Sequence, residues 1–172
     1  MNKVRFATVW LDGCSGCHMS FLDMDMILLD LASRIELVYS PLVDFKVFPE
    51  NVDVTMVEGA VSSAEDEEKI KHIRARTKTL IAIGDCAITS NVPGMRNTFE
   101  VDEVMRNSYG TVPPSEWPIH VVPPLLKRSL PVHQVVPVDV FITGCPPNAA
   151  KIIQALMSVL DQKPDPVQPR FG

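Results

Sequence analysis

Residues 11–18 have the sequence LDGCSGCH, which contains two cysteines and two glycines. The apolar run at residues 4–10 before it predicts a buried β-strand, and residues 19–34 after it predict a helix. Gly13 and Gly16 permit a tight turn that brings backbone N–H groups close to whatever the two cysteines bind. The start of the helix adds partial positive charge. The stretch therefore predicts a site for an anionic, thiolate-bound inorganic cluster at the end of a strand.

Further strands and helices alternate along the rest of the chain. Apolar runs predict four more strands, at residues 35–39, 52–57, 79–83 and 138–142. Residues 65–76 and 148–161 predict helices, and Ser62 with Glu65 has the pattern of a capping box for the first of them. This alternation predicts an α/β fold: a flavodoxin-like, doubly wound parallel sheet of about five strands with helices on both faces.

Residues 94–137 interrupt the alternation. Seven prolines lie between Pro113 and Pro137. Because proline removes a backbone donor and disfavours helices and central strands, we predict a long proline-rich insertion without regular structure. Long loops in compact domains are usually functional, so the insertion is expected to wrap around the site or to dock a partner. We expect one domain over residues 1–172, ending in an extended tail at 163–172.

The predicted helix at residues 19–34 is apolar on nearly all sides and rich in methionine. One face of a sheet cannot cover so wide an apolar surface. Two interpretations remain open. The helix is either deeply buried in the core, or part of its surface docks on another subunit.

Composition excludes several classes of protein. The net charge is −5 at pH 7 and no basic run is present, which argues against a nucleic-acid partner. No apolar stretch approaches the roughly 18 residues of a membrane-spanning helix, so we expect no membrane insertion. The sequence starts directly on the first strand without a secretory signal, so we predict a cytoplasmic protein.

All four cysteines follow an apolar strand and lie within two residues of a glycine; they are Cys14, Cys17, Cys86 and Cys145. The carboxyl ends of parallel strands share one edge of the sheet, so residues distant in sequence can meet there. Four thiolates at one point can hold a [4Fe–4S] cluster. A structural zinc site, a redox-active CxxC pair and buried thiols without a ligand are the alternatives.

Four motifs carry a family resemblance, at residues 10–18, 57–61, 84–87 and 143–147. They resemble the small subunit of [NiFe] hydrogenases of the soluble, NAD-reducing type, and more distantly the 20 kDa-type subunit of respiratory complex I. The complex I relative typically has two adjacent cysteines instead of a spaced pair. The resemblance implies a flavodoxin-like fold. It also implies that the ligands of one [4Fe–4S] cluster are Cys14, Cys17, Cys86 and Cys145.

The resemblance further implies that the chain relays electrons and is not catalytic alone. It would be a subunit of an NAD-reducing hydrogenase, beside a large subunit with the Ni–Fe centre and flavin- and iron–sulfur-bearing subunits that bind FMN and NAD. A deazaflavin-reducing hydrogenase, a complex-I-like quinone reductase and a zinc-stabilised scaffold remain alternatives. Whether this chain itself binds FMN is open, because no clear phosphate loop is visible beyond residues 13–16.

Three polar residues are candidates for positions around the cluster. Glu58 is either a plain polar residue at a strand end or a hydrogen-bonding or proton-relay group at the subunit boundary, and the family has a glutamate in this motif. His18 is a helix start, a donor to a cluster sulfur or a replacement ligand. Thr143 is expected to donate to a sulfur and so to adjust the reduction potential.

Overall fold

The computed structural model describes residues 3–117 and 121–161, which form seven strands and seven α-helices. The strands are β1 (Val4–Trp10), β2 (Ile35–Tyr39), β3 (Val52–Glu58), β4 (Val61–Ser63), β5 (Thr77–Ile83), β6 (Leu125–Leu130) and β7 (Val140–Ile142). The helices are α1 (Gly16–Leu22), α2 (Ile27–Arg34), α3 (Ala64–Arg76), α4 (Gly84–Thr89), α5 (Asn91–Gly94), α6 (Val101–Tyr109) and α7 (Ala149–Leu160). Short 3-10 turns lie at Met95–Thr98, Pro114–Glu116 and Val132–Gln134. None of these helices has the length and apolar character to cross a membrane.

Five parallel strands form the central sheet, in the order β2-β1-β3-β5-β7. Counted within this sheet, the order is 2-1-3-4-5, which is the flavodoxin-like arrangement. The predicted fold is confirmed. Trp10 is level with Glu58, Glu58 with Ile83, and Ile83 with Ile142. The segments that follow β1, β3, β5 and β7 therefore leave the sheet at the same height, and three of them carry the cysteines.

Apolar side chains cover both faces of the sheet. On one face, α3 contributes Ile70 and Ile73 to a core that includes Val9 and Val57. On the other face, residues of α1, α2 and α7 pack with the remaining sheet residues, among them Phe21, Leu31, Ile152, Leu156, Phe6, Met56 and Ile81. Burial on both faces explains the apolar runs in the central strands β1 and β5.

The predicted helix at residues 19–34 is two helices, α1 and α2, separated by a turn at residues 23–26. Asp25 adopts a positive φ of 53° there, which aspartate tolerates better than most residues. The turn buries Met24 in the core but leaves Met26 exposed. Deep burial of the whole segment was therefore the wrong interpretation, since Met19 and Leu29 are also exposed. Docking of this surface on another subunit stays a prediction.

The capping box of α3 lies one residue later than predicted. Ser63 is the N-cap, and it exchanges hydrogen bonds with Asp66. The predicted cap, Ser62, instead hydrogen-bonds through its hydroxyl to the hydroxyl of Ser129 at 2.7 Å. Pairing of β4 with a distant strand therefore decides where the helix begins.

The predicted insertion contains regular structure, so the expectation of an irregular segment was wrong in part. Helix α6 precedes the prolines, and β6 pairs antiparallel with β4 in a separate two-stranded sheet. Prolines flank β6 at Pro124 and Pro131 without interrupting it, as expected of a strand in so small a sheet. The predicted extended tail at residues 163–172 lies outside the described residues.

Candidate metal centre

The four cysteines lie on three segments that leave the same edge of the sheet. Cys14 and Cys17 follow β1, Cys86 lies in α4 after β5, and Cys145 follows β7. Burial raises the pKa of the Cys17 thiol, and the negative charges of Glu58 and of the other three cysteines raise it further. Cys17 is thus close enough to each of the other three thiols for their charges to affect its pKa. Cys17 is buried, Cys86 is half-buried, and Cys14 and Cys145 are exposed, so the group extends from the core to the surface.

Glycines make room for two of the sulfurs. A Cβ atom on Gly84 would lie 2.2 Å from Sγ of Cys17, and one on Gly16 would lie 3.2 Å from Sγ of Cys14. Gly84 also has a φ of +81°, a conformation that side chains disfavour. No larger residue at position 84 is compatible with the observed place of the Cys17 thiol.

The loops that carry Cys86 and Cys145 are joined by hydrogen bonds. The backbone N–H of Asp85 donates to the Gly144 carbonyl at 2.9 Å, and the backbone N–H of Gly144 donates to Oδ1 of Asp85 at 2.8 Å. Lys151 donates from Nζ to both the carbonyl and the hydroxyl oxygen of Thr143, each at 2.6 Å. The Thr143 hydroxyl thus accepts from Lys151. Its predicted bond to a sulfur stays a prediction.

Glu58 binds the start of α1. Its carboxylate accepts the backbone N–H groups of Cys17 (3.3 Å) and His18 (2.9 Å), and Nδ1 of His18 lies 2.5 Å from Oε2. Burial alone would raise the pKa of Glu58, but the hydrogen bonds and charge of His18 outweigh it and lower the pKa. The Glu58 carboxylate is therefore buried, and it contacts the CxxC turn through these hydrogen bonds. Nε2 of His18 is buried and makes no hydrogen bond to the described residues.

Two donors to the cysteine sulfurs were not anticipated from the sequence. The side-chain amide of Asn91 donates to Sγ of Cys145 at 3.3 Å, and the backbone N–H of Val92 donates to the Cys86 thiol. Both residues begin α5, and with Ser90 they form the tight turn at residues 90–92 where α4 ends and α5 starts. A Ser-Asn pair shortly before a proline is a turn signal, but nothing in it indicates which sulfur the turn approaches.

The cysteines are not gathered as they would be around one ion. Among residues 3–117 and 121–161, no three His, Cys, Asp or Glu side chains are arranged to hold a single metal ion. A tetrahedral zinc site requires every sulfur about 2.3 Å from the metal. Among the described residues, the arrangement of the side chains therefore does not match a site for one zinc ion.

The fold and the site define a class: a flavodoxin-like α/β protein with four cysteines at the carboxyl edge of its sheet. Residues 14–159 match the family described as NADH ubiquinone oxidoreductase, 20 Kd subunit, and the chain belongs to this family.

Within this family, the chain is similar to subunits of hydrogenases. The chain is 39% identical over 170 residues to the NAD-reducing hydrogenase HoxS subunit delta of Cupriavidus necator, covering 95% of this chain and 81% of that subunit. It is 36% identical to a subunit of the F420-non-reducing hydrogenase of Methanococcus voltae, covering 98% of this chain but 60% of the relative. This chain thus spans less than two thirds of that relative's length.

A solved structure agrees with these relatives. A chain in a crystal structure of an NAD+-reducing [NiFe]-hydrogenase in the H2-reduced state superposes with a TM-score of 0.86 at 36% identity. The match covers 98% of this chain and 96% of that one. The resemblance to hydrogenase small subunits and to the complex I subunit, expected from the four motifs, is confirmed.

Proposed function

We propose that this chain is the electron-relaying small subunit of an NAD-reducing [NiFe] hydrogenase. The observation that carries the proposal is that all four cysteines follow strands that end at one edge of the sheet. The similarity to subunits named as NAD-reducing hydrogenase supplies the reaction. The acceptor itself would bind to other subunits, so this chain's contribution is the relay. Four free thiols also fit the reducing cytoplasm predicted from the sequence.

The residues at the site fit a [4Fe–4S] cluster. Four thiolates are its usual ligand set, here supplied by Cys14, Cys17, Cys86 and Cys145. The cluster, when bound, supplies a one-electron carrier. The chain's own residues would hold and shield it: Gly16 and Gly84 leave space beside two sulfurs, and Asn91 and Val92 donate to the other two.

The exposed cysteines indicate where electrons would enter and leave. Cys14 and Cys145 reach the surface, and a relay requires its donor and acceptor close by. Apolar side chains are exposed on the segments that carry or adjoin the cysteines, among them Trp10, Met19 and Val92. Apolar surface at such an edge is typical of a permanent interface. We assign this surface to the large subunit that carries the Ni–Fe centre.

Metal analysis tests the proposal. The intact complex is purified without oxygen through a tag on this chain and compared with the same complex carrying Cys86→Ala. We expect H2-dependent NAD+ reduction in the unaltered complex, and a loss of iron in Cys86→Ala that reaches about four iron and four sulfide per chain if the whole cluster is lost. Stoichiometric zinc, with equal iron in both preparations, would contradict the cluster and favour the zinc-stabilised scaffold.

The same preparation distinguishes the alternative acceptors. NAD+, a deazaflavin and a quinone are offered in turn to the H2-reduced complex. We expect only NAD+ to be reduced at the rate of H2 consumption. Reduction of a deazaflavin or a quinone instead would keep the relay and contradict the NAD-reducing assignment.

A further inference from the structure

The turn at residues 90–92 presents donors to two different cysteine sulfurs. The Asn91 side-chain amide donates from Nδ2 to Sγ of Cys145, and the Val92 backbone N–H donates to Cys86. Cys145 is separated from Asn91 by 54 positions along the chain. The turn therefore lies at the site because the fold brings it to Cys145, and not because the two are close in sequence.

The backbone of this turn holds Asn91 in a defined conformation. Ser90 and Asn91 both have positive φ angles, 64° and 28°. Asparagine enters this region more readily than most residues, and its short side chain then stays close to the backbone. Ser90 caps α4 through its N–H, which donates to the Cys86 carbonyl at 3.1 Å. The turn is therefore attached directly to one of the cysteine-bearing segments.

Strand β6 anchors the turn from the other side. The Ser90 hydroxyl donates to the Ser129 carbonyl at 3.1 Å, and Nδ2 of Asn97 donates to the same oxygen at 2.9 Å. The Ser129 N–H donates back to Oδ1 of Asn97 at 2.7 Å. The proline-rich insertion thus contributes to the site indirectly, because its strand fixes the segment that carries Asn91.

A donor at a ligand sulfur affects the two redox states of a cluster unequally. One-electron reduction adds one negative charge and breaks no bond to the thiolates. An N–H aimed at a sulfur stabilises the more negative state more strongly, and so raises the reduction potential. Cys145 is exposed. The Asn91 amide belongs to the same chain as Cys145, so it remains a fixed donor at this sulfur when the proposed large subunit covers the edge.

Building on the proposed function, we propose that Asn91 is a tuning residue for the cluster, whose amide stabilises the reduced state through the Cys145 sulfur. Its role is to set the potential of the relay, without touching substrate. Val92 acts in the same direction on Cys86, but its backbone N–H is not removed by substitution. Asn91 is therefore the residue on which the idea can be tested.

The test is a redox titration of the intact complex followed by electron paramagnetic resonance. The signal of this cluster is identified as the one lost in Cys86→Ala. We expect Asn91→Asp and Asn91→Gly each to lower the equilibrium constant for reduction about tenfold, equivalent to about 59 mV for one electron. Asn91→Gln, which keeps an amide, should lie closer to the unaltered protein. An equal drop in Asn91→Gln would assign the effect to the shape of the turn and overturn the role of the amide.

Asn51 supplies the matched control. It is exposed, has a φ of 56°, and directly precedes β3, at the end of the sheet opposite the cysteines. Asn51→Asp and Asn51→Gly should leave the potential unchanged. An unchanged potential in the Asn91 variants, with full iron content, would overturn the inference and leave the proposed function standing. Equal iron and sulfide contents in the unaltered complex and in the Cys86→Ala complex would overturn the proposed function itself.

A second measurement needs no substitution and applies if the Asn91 variants lose iron. The complex is labelled with asparagine carrying 15N only in the side-chain amide. Pulsed resonance of the reduced cluster should show a hyperfine coupling to this nitrogen. Absence of the coupling would overturn the contact and the inference with it.

Discussion

Asp85 and Gly144 exchange two hydrogen bonds across the ends of β5 and β7. Each residue directly precedes a cysteine, Cys86 in one case and Cys145 in the other. The paired bonds therefore continue the contact between the two strands just beyond the last paired residues, Ile83 and Ile142. Two hydrogen bonds therefore join the segments that carry Cys86 and Cys145, which are 59 positions apart in sequence.

Removing the Asp85 carboxylate should loosen the two cysteine loops. Asp85→Ala leaves the Gly144 N–H without its acceptor, which should lower the free energy of unfolding by about 1–3 kcal/mol. Iron should also be lost faster to a chelator, because Cys86 and Cys145 are no longer held together. The measurements are thermal unfolding of the complex and the rate of iron release. Asp85→Asn keeps an oxygen acceptor and is the control. If both variants release iron at the rate of the unaltered complex, the paired bonds do not stabilise the site.

Cys86 should be a ligand although it lies far from the CxxC pair in sequence. Cys86→Ala is expected to abolish or convert the spectroscopic signal of the cluster and to stop electron transfer from H2 to NAD+. Thr89→Ala in the same helix is the control, because the Thr89 hydroxyl donates to the Asp85 carbonyl within α4. Intact spectra and full electron transfer in Cys86→Ala would show that Cys86 is only a half-buried thiol.

The cysteine edge should be covered by the large subunit. Met19 is 56% exposed and lies two residues after Cys17, so Met19→Glu introduces a charge into the proposed interface. Burying an unpaired charge is costly, and we expect at least a tenfold weaker association, measured by co-purification at graded dilution.

Met26 supplies the comparison for Met19. It is 68% exposed and lies in the turn beyond α1. Met26→Glu should associate normally. Normal association of Met19→Glu would place the interface elsewhere, and equal weakening by both substitutions would extend the interface over this turn.

The bonds between Asn97 and Ser129 should be needed for stability. Asn97→Ala removes a donor and an acceptor from the Ser129 backbone and leaves both groups without that partner. We expect the free energy of unfolding to fall by about 1–3 kcal/mol, measured by thermal unfolding of the complex. Asn107 on α6 is exposed, so Asn107→Ala should change stability by less than about 0.5 kcal/mol. A small effect at Asn97 would mean that its bonds to Ser129 contribute little, which leaves the Ser90 bond as the link between the turn and β6.

The sequence alone predicted the elements that depend on local pattern. All five strands of the sheet were expected within about two residues of their observed ends, because buried parallel strands are continuous apolar runs bounded by turn residues. Their order followed from the α/β alternation, which permits few topologies. The position of a Gly-Cys pair just after a strand then placed the cysteines on one edge.

Tertiary structure alone decided the features that join distant segments. Helix α1 ends where the chain turns to bury Met24 in the core. Helix α3 begins after Ser63 because the Ser62 hydroxyl is hydrogen-bonded to the Ser129 hydroxyl. Strand β6 exists because β4 offers it an edge, and its propensity is weak among so many prolines.

The same division holds within the site. Residue type and position at the strand ends were enough to identify the cysteines, Glu58 and His18 as candidate site residues. The bond from Asn91 to Cys145 and the paired bonds of Asp85 and Gly144 were not predictable, because each joins residues more than 50 positions apart. Such contacts leave no periodic signal in the sequence. They arise only when parallel strands bring their ends to one height, which is a property of the assembled sheet.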